Sequence, residues 1–251
     1  MSYEFDHRFP IAVVRLTGDL TAADAAAVRS GLVEALVEEP TALIIDLAGL
    51  MTLEPVAAQV FVGLAGRAAL WPGTSVLLCA PVPQVAAALA DVDAGELRVY
   101  ASFTDALVVA TDDEVPLRVQ RHLEPSIHAP RLARELAAAA CRSWQVPECA
   151  VAAEILASEL VTNAVRHAAT ALTLRLTLHR GHLRVSVHDR DRQMARLQTP
   201  SESDDHGRGL LIVNSVASRW GSEPVEGGKV VWAAMPAAPR AAAPDLVDAE
   251  R

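Results

Sequence analysis

The chain has 251 residues, 51% of them hydrophobic, which is enough for one large or two small packed cores and excludes disorder throughout. A formal net charge of -9 argues against a nucleic-acid partner held by phosphate neutralisation. Three cysteines, Cys79, Cys141 and Cys149, lack paired metal-ligand spacing and read as buried or half-buried thiols of a reducing compartment. The opening "MSYEFDHRFP" has no apolar run of a signal peptide, and the most apolar helical stretch, Val56 to Leu70, is interrupted by Gln59 and Arg67. That stretch is also too short to cross a bilayer, so no membrane partner and a cytoplasmic location are expected.

In chain order, "IAVVRLTG" (11–18) predicts a strand, and apolar residues at helical spacing through Ala25, Val28, Leu32 and Leu36 predict a helix behind polar capping candidates. "TALIIDL" (41–47) is a buried strand after Pro40, and Pro55 suits the first turn of a helix reaching about Trp71. "TSVLLCA" is a strand, "PQVAAALADV" a helix, "LRVYAS" a short strand and "TDALVVAT" a closing helix. Strands alternating with helices imply an α/β domain with a largely parallel or mixed sheet.

An acidic, proline-bearing stretch follows, and the boundary is placed at residue 113. Beyond it the order changes: a strand at Leu117 to His122, helices at Pro130 to Trp144 and Pro147 to Ala168, then "ALTLRLTLHR" and "HLRVSVHDR" joined by a turn at Gly181. Alternation of Leu172, Leu174, Leu176 and Leu178 marks a half-buried strand. A polar loop from Asp191 to His206 leads to a helix from Gly209 to Trp220 and a final strand "KVVWAAM". Helices segregated on one face of an antiparallel sheet make this half an α+β two-layer sandwich. The tail, 237–251, has too little apolar content to fold and is expected to be disordered.

Within the second predicted helix of that half, "SELVTNAVRHA" spaces Glu159, Asn163 and His167 four apart, at the border of the apolar arc Leu156, Leu160, Val161 and Ala164. Such a ladder alone is compatible with an ordinary solvated stripe. Downstream, however, Asp189 ends a strand, and "HGRGL" (206–210) sets two glycines at the mouth of a helix, where free N–H groups and the helix dipole favour an anion.

That ordered set resembles the ATP-binding (Bergerat) domain shared by gyrase, histidine kinases and MutL, and most closely its anti-sigma-factor serine kinase branch, through "ELVTNAVRHA", "VHD", "GRGL", "RWG" and "GGKVVW". The resemblance covers about residues 115–236. It implies ATP and Mg²⁺ as cofactors, with Asn163 a metal ligand through its amide oxygen. Asp189 would accept a hydrogen bond from the adenine amino group. Gly207, Arg208, Gly209 and Leu210 would form the phosphate-binding turn, and Glu159 would be the catalytic base. His167 is left between ligand contact and a capping role. Two departures stand out: "DRDRQ" puts Asp191 and Gln193 where the family has glycines, adding bulk and negative charge, and Val230 stands where threonine is usual. Both lower the nucleotide affinity expected. A histidine-kinase reading is set aside because no dimerisation helix pair precedes the ATP domain.

The first half, about residues 8–110, resembles the STAS domain of anti-sigma-factor antagonists and sulfate transporters, through "VVRLTGDLTAADAAAVR" and "LIIDLAGLMTLEPVAAQVFVGLA". Where phosphorylated members carry an acid, then serine or threonine, then glycine, this chain has Glu54, Pro55, Val56 and Ala57, none with a hydroxyl. Thr52 is displaced by several residues. The domains are therefore read as 1–112, a STAS-like docking or dimerisation module without its phosphoacceptor, and 113–236, an ATP-binding domain. The resemblance implies a serine/threonine protein kinase acting in trans on a STAS antagonist, in a partner-switching system with a sigma factor. The alternative is an ATP-gated binding switch without transfer. The sole lysine, Lys229, among many arginines hints at a GC-rich bacterial genome. A homodimer is left open.

Overall fold

The computed structural model describes residues 1–70, 73–92, 97–195 and 208–237. The chain divides into two compact units: Met1–Pro116 with Arg190–Ala195 and Gly221–Val231, and Leu117–Asp189 with Arg196–Trp220 and Trp232–Arg251.

The first sheet has the order β1 (Ser2–Arg8), β2 (Ile11–Leu20), β3 (Ala42–Leu53), β4 (Ser75–Cys79), β5 (Arg98–Tyr100). Strands β2 to β5 are parallel, and β1 adds an antiparallel edge, so the sheet is mixed. Parallel strands covered on both faces need continuous apolar runs, and Leu43, Ile44, Ile45, Leu77 and Leu78 are fully buried. Helices α1 (Ala25–Val37), α2 (Pro55–Leu70), α3 (Pro83–Ala90) and α4 (Phe103–Thr111) connect the strands. Ser102 caps α4, its Oγ accepting the Asp105 N–H at 3.1 Å, while Asp24 before α1 accepts both the N–H and hydroxyl of Thr21.

Two differences from the sequence reading have clear causes. Strand β1, unforeseen, places Tyr3 and Phe5 edge to face, 5.2 Å between centroids. Their rings lie against Gly31 of α1, where an added Cβ would stand 2.9 Å from Phe5 Cζ. Strand β3 runs six residues past the expected end at Leu47, because Gly49 to Leu53 go on pairing with β2 after a register shift.

The second sheet has the order β6 (Leu117–Leu123), β7 (Leu172–His179), β8 (His182–Asp189), β10 (Gly228–Pro236), β9 (Arg219–Val225). β6, β7 and β8 are antiparallel, and the β7–β8 hairpin turns through Arg180 and Gly181, both at positive φ, the geometry of a two-residue primed turn. Helices α5 (Ala129–Ser143), α6 (Ala150–His167, after a 3-10 turn Pro147–Cys149) and α7 (Arg208–Val216) complete it. α6 packs on α5, α7 and β8 through buried Ala153, Leu156, Ala157, Leu160, Val161 and Ala164. The arrangement is the α+β sandwich expected.

Three expectations for this half are corrected. The helix set at Gly209–Trp220 ends at Val216, where Ser218 N–H and Oγ bond the Ala234 carbonyl and draw the chain into β9. β9 escaped notice because "RWGSEPV" lacks an apolar rhythm and contains Pro224, which an edge strand tolerates. β7 is buried on both faces rather than one, since Arg175, Thr177 and His179 are buried along with the leucines. Ala237, assigned to the tail, is buried and donates its N–H to the Gly181 carbonyl. Residues 238–251, expected to be disordered, lie outside the described residues.

Candidate functional site

The ladder lies on α6 as a drifting row. Glu159 and Asn163 are half-buried beside the buried arc of Leu156, Leu160, Val161 and Ala164, whereas His167 in the last turn is exposed. A basic group there is favoured by the helix dipole whether or not it meets a ligand. Arg166 beside it is also exposed, and Thr162 half-buried. The helix therefore presents a carboxylate and an amide one turn apart at the edge of its packed face.

Helix α7 begins at Arg208, and its second residue meets this edge. A Cβ built on Gly209 would lie 2.8 Å from Glu159 Oε2, a separation that real Cβ atoms do not show. A methyl group at this position would therefore displace the end of the Glu159 side chain, a flexible group that can give way. Leu210 is half-buried, and Gly207 lies outside the described residues, as does the predicted polar loop of 191–206 from residue 196 on. Asp189 ends β8, the strand against which α6 packs, and is buried at 5% exposure. Burying a carboxyl there calls for polar company, which suits a group assigned to recognise a base edge. The donor set fits a nucleotide: a buried acceptor at a strand end, and a carboxylate and an amide one turn apart on the helix packed upon it. Among the described residues no group of three or more His, Cys, Asp or Glu could hold a metal ion. The expected metal contact is a single amide oxygen, that of Asn163.

The loop after Asp189 holds a feature that sequence reasoning missed. Asp191 does not leave its charge open: Oδ2 accepts from Lys229 Nζ at 2.7 Å, and Lys229 is 1% exposed. The other oxygen, Oδ1, accepts the Gln193 N–H at 2.9 Å, making a turn, and the Ala195 N–H reaches Ser222 Oγ at 3.2 Å. The negative charge expected from Asp191 is thus matched by an ammonium. The signal was present in "GGKVVWAAM", where one lysine stands in an otherwise apolar strand and demands a buried anion.

In the first unit, Glu54, Pro55 and Val56 are exposed at the start of α2. Glu54 Oε2 accepts the Ala22 N–H at 2.8 Å, tying this loop to the one after β2. Thr52 is in β3 with its hydroxyl donated to Asp19 Oδ1 at 2.7 Å. No hydroxyl stands at residues 55–57.

The chain thus carries a mixed α/β domain followed in sequence by an α+β domain. Residues 2–106 match the family model of the STAS domain, and residues 123–235 match that of the histidine kinase-like ATPase domain. The chain carries both, in that order. Solved structures to which it is similar include the unphosphorylated anti-sigma factor antagonist SpoIIAA, at 17% identity over 44% of this chain and 97% of that one, TM-score 0.39. An anti-sigma factor antagonist from Mycobacterium paratuberculosis is 21% identical over 44% of this chain and 94% of that one, TM-score 0.40. A Mycobacterium tuberculosis protein with RsbU and RsbW domains is 19% identical over 48% of this chain and 32% of that one, TM-score 0.39. No curated protein matches the chain.

Proposed function

We propose that the chain is a bacterial, cytoplasmic Mg·ATP-dependent serine/threonine protein kinase of the anti-sigma-factor type, acting in trans on a serine-bearing STAS antagonist in a partner-switching system with a sigma factor. The observation that carries this reading is the meeting of Glu159 and Gly209 in a domain that matches the ATPase family model. It sets a carboxylate at the start of the helix assigned to the phosphates.

Bound Mg·ATP supplies the transferable γ-phosphoryl group. Asn163 would hold the metal through its amide oxygen, and Asp189 would accept from the adenine amino group. The backbone N–H groups of Gly207, Arg208, Gly209 and Leu210 would offer donors to phosphate oxygens. Glu159 would accept the proton of the attacking serine hydroxyl as the phosphoryl group passes to that oxygen and ADP leaves. The STAS domain, with no hydroxyl at residues 54–57, serves as a docking module rather than a phosphoacceptor.

The test is transfer of labelled γ-phosphate to a serine-bearing STAS protein. Glu159→Gln is expected to lower transfer by roughly 10²-fold or more while nucleotide binding persists. Transfer by that variant at the wild-type rate would remove the base from the scheme. A second reading, an ATP-gated binding switch without transfer, is favoured by Asp191 and Gln193 standing in place of glycines. It expects nucleotide binding and partner exchange with no labelled product.

A further inference from the structure

We propose that Arg67 and Glu223 form a latch through which helix α2 holds the tip of the β9–β10 hairpin and, with it, the segment 190–195. Both residues belong to the first compact unit, which takes in Arg190–Ala195 and Gly221–Val231 beside Met1–Pro116. Arg67, in the last turn of α2, donates through Nη1 to Glu223 Oε2, although the two stand 156 positions apart in sequence.

Three features make the hairpin tip dependent on such a contact. β9 is an edge strand, so part of its backbone lies outside the ladder. Pro224, next to Glu223, has no N–H to give. The chain then turns through Glu226 and Gly227, the glycine at φ 77 and with open space where a Cβ would stand. Glu223 is only 16% exposed in its side chain against 40% for Arg67. A carboxyl so enclosed calls for a cation, and an arginine at the end of a helix is favoured by the dipole as well.

From the tip the contacts continue to 190–195. Ser222, the neighbour of Glu223, accepts the Ala195 N–H on its Oγ at 3.2 Å. Lys229, on the returning strand, donates to Asp191 Oδ2 at 2.7 Å, and Asp191 Oδ1 accepts the Gln193 N–H at 2.9 Å. The tip thus holds the segment at Asp191 and at Ala195, while α2 holds the tip at Glu223. A partly exposed ion pair adds little to total stability, so its contribution is one of position. Whatever draws Arg67 from Glu223 loosens 190–195, which makes the pair a switchable contact rather than a fixed brace.

The test is amide hydrogen exchange on the full-length protein, read by mass for peptides covering 190–195, 219–227 and, as a reference, 172–188. Wild type is compared with Arg67→Met, Glu223→Gln and the double variant. The latch predicts roughly two- to five-fold faster exchange over 190–195 and 219–227 in each single variant, the scale of one partly exposed ion pair. The double variant gains nothing further, because either substitution already opens the same contact. The reference peptide exchanges as in the wild type. Salt at about 1 M, which screens charges beyond about 3 Å, speeds the same two peptides more in the wild type than in the variants. Glu223→Gln keeps the shape of the side chain and removes its charge, so the test stands even if Arg67→Met folds poorly. Unchanged exchange over 190–195 in both single variants would overturn the latch. Additive effects of the two substitutions, or a rise extending equally to 172–188, would overturn it too, since the residues would then act separately or brace the whole fold.

Discussion

Position 209 carries only a hydrogen, and the Glu159 carboxylate occupies the space a methyl group would take. Gly209→Ala should displace that carboxylate and cut phosphoryl transfer roughly 10- to 100-fold, the scale on which a misplaced catalytic group acts. Alanine suits a helix better than glycine by about 1 kcal/mol, so the melting temperature should not fall with the activity. A fall of both together would mean that the substitution disrupts the fold instead. The thiols give a second residue-scale expectation. Burial, helped by the charge of Asp46, pushes the Cys79 thiol up to about 12, and burial first, then neighbouring Cys149 and nearby acids, pushes Cys141 up to about 11. Each is raised in the folded state, so its contribution is complete below the unfolded value of about 8.5 and is lost as pH rises toward 11 and 12. The urea midpoint should decline over that window, and the decline should be shallower in Cys79→Ala. An equal slope in that variant would contradict the burial argument. At this scale the placement of the ladder on one helix and of Asp189 at a strand end was legible from spacing and pattern. The partner of Asp191 was not, since the two residues stand 38 positions apart and only the sheet brings them together.

Helix α6 carries the ladder because its other side is packed. Leu160 is fully buried in that packed face. Leu160→Ala should cost about 2–5 kcal/mol, read as a lower urea midpoint. Arg166→Ala in the exposed last turn should change stability by no more than about 0.5 kcal/mol. Equal costs would place the packed face elsewhere on the helix. Periodicity made this helix, the buried strands β3 and β4, and the Gly181 hairpin readable from sequence. It did not reveal β1 or β9, both edge strands, in which half of the backbone groups lie outside the ladder and side chains need not alternate strictly. Nor did it mark the end of α7, which is set by Ser218 bonding to the Ala234 carbonyl, a contact 16 residues distant in sequence.

Across the whole molecule, a STAS domain at 2–106 and a histidine kinase-like ATPase domain at 123–235 share one chain, and we place the division between them near residue 113. The STAS half keeps an acid at Glu54 but spends it on the Ala22 N–H, and the hydroxyl of Thr52 is donated to Asp19. Incubation with ATP, followed by mass analysis of peptides spanning residues 41–70, should therefore find no added phosphate. A phosphate on Thr52 would contradict the view that this half only docks. Among the described residues no helix is long and apolar enough to cross a membrane. The central claim, that the ladder on α6 is the wall of a Mg·ATP site, is tested most directly by titrating the full-length protein with a fluorescent ATP analogue, with and without Mg²⁺, beside Asn163→Ala. The account predicts Mg²⁺-dependent binding by the wild type that Asn163→Ala abolishes. Equal binding by both proteins, or none by the wild type, would contradict it.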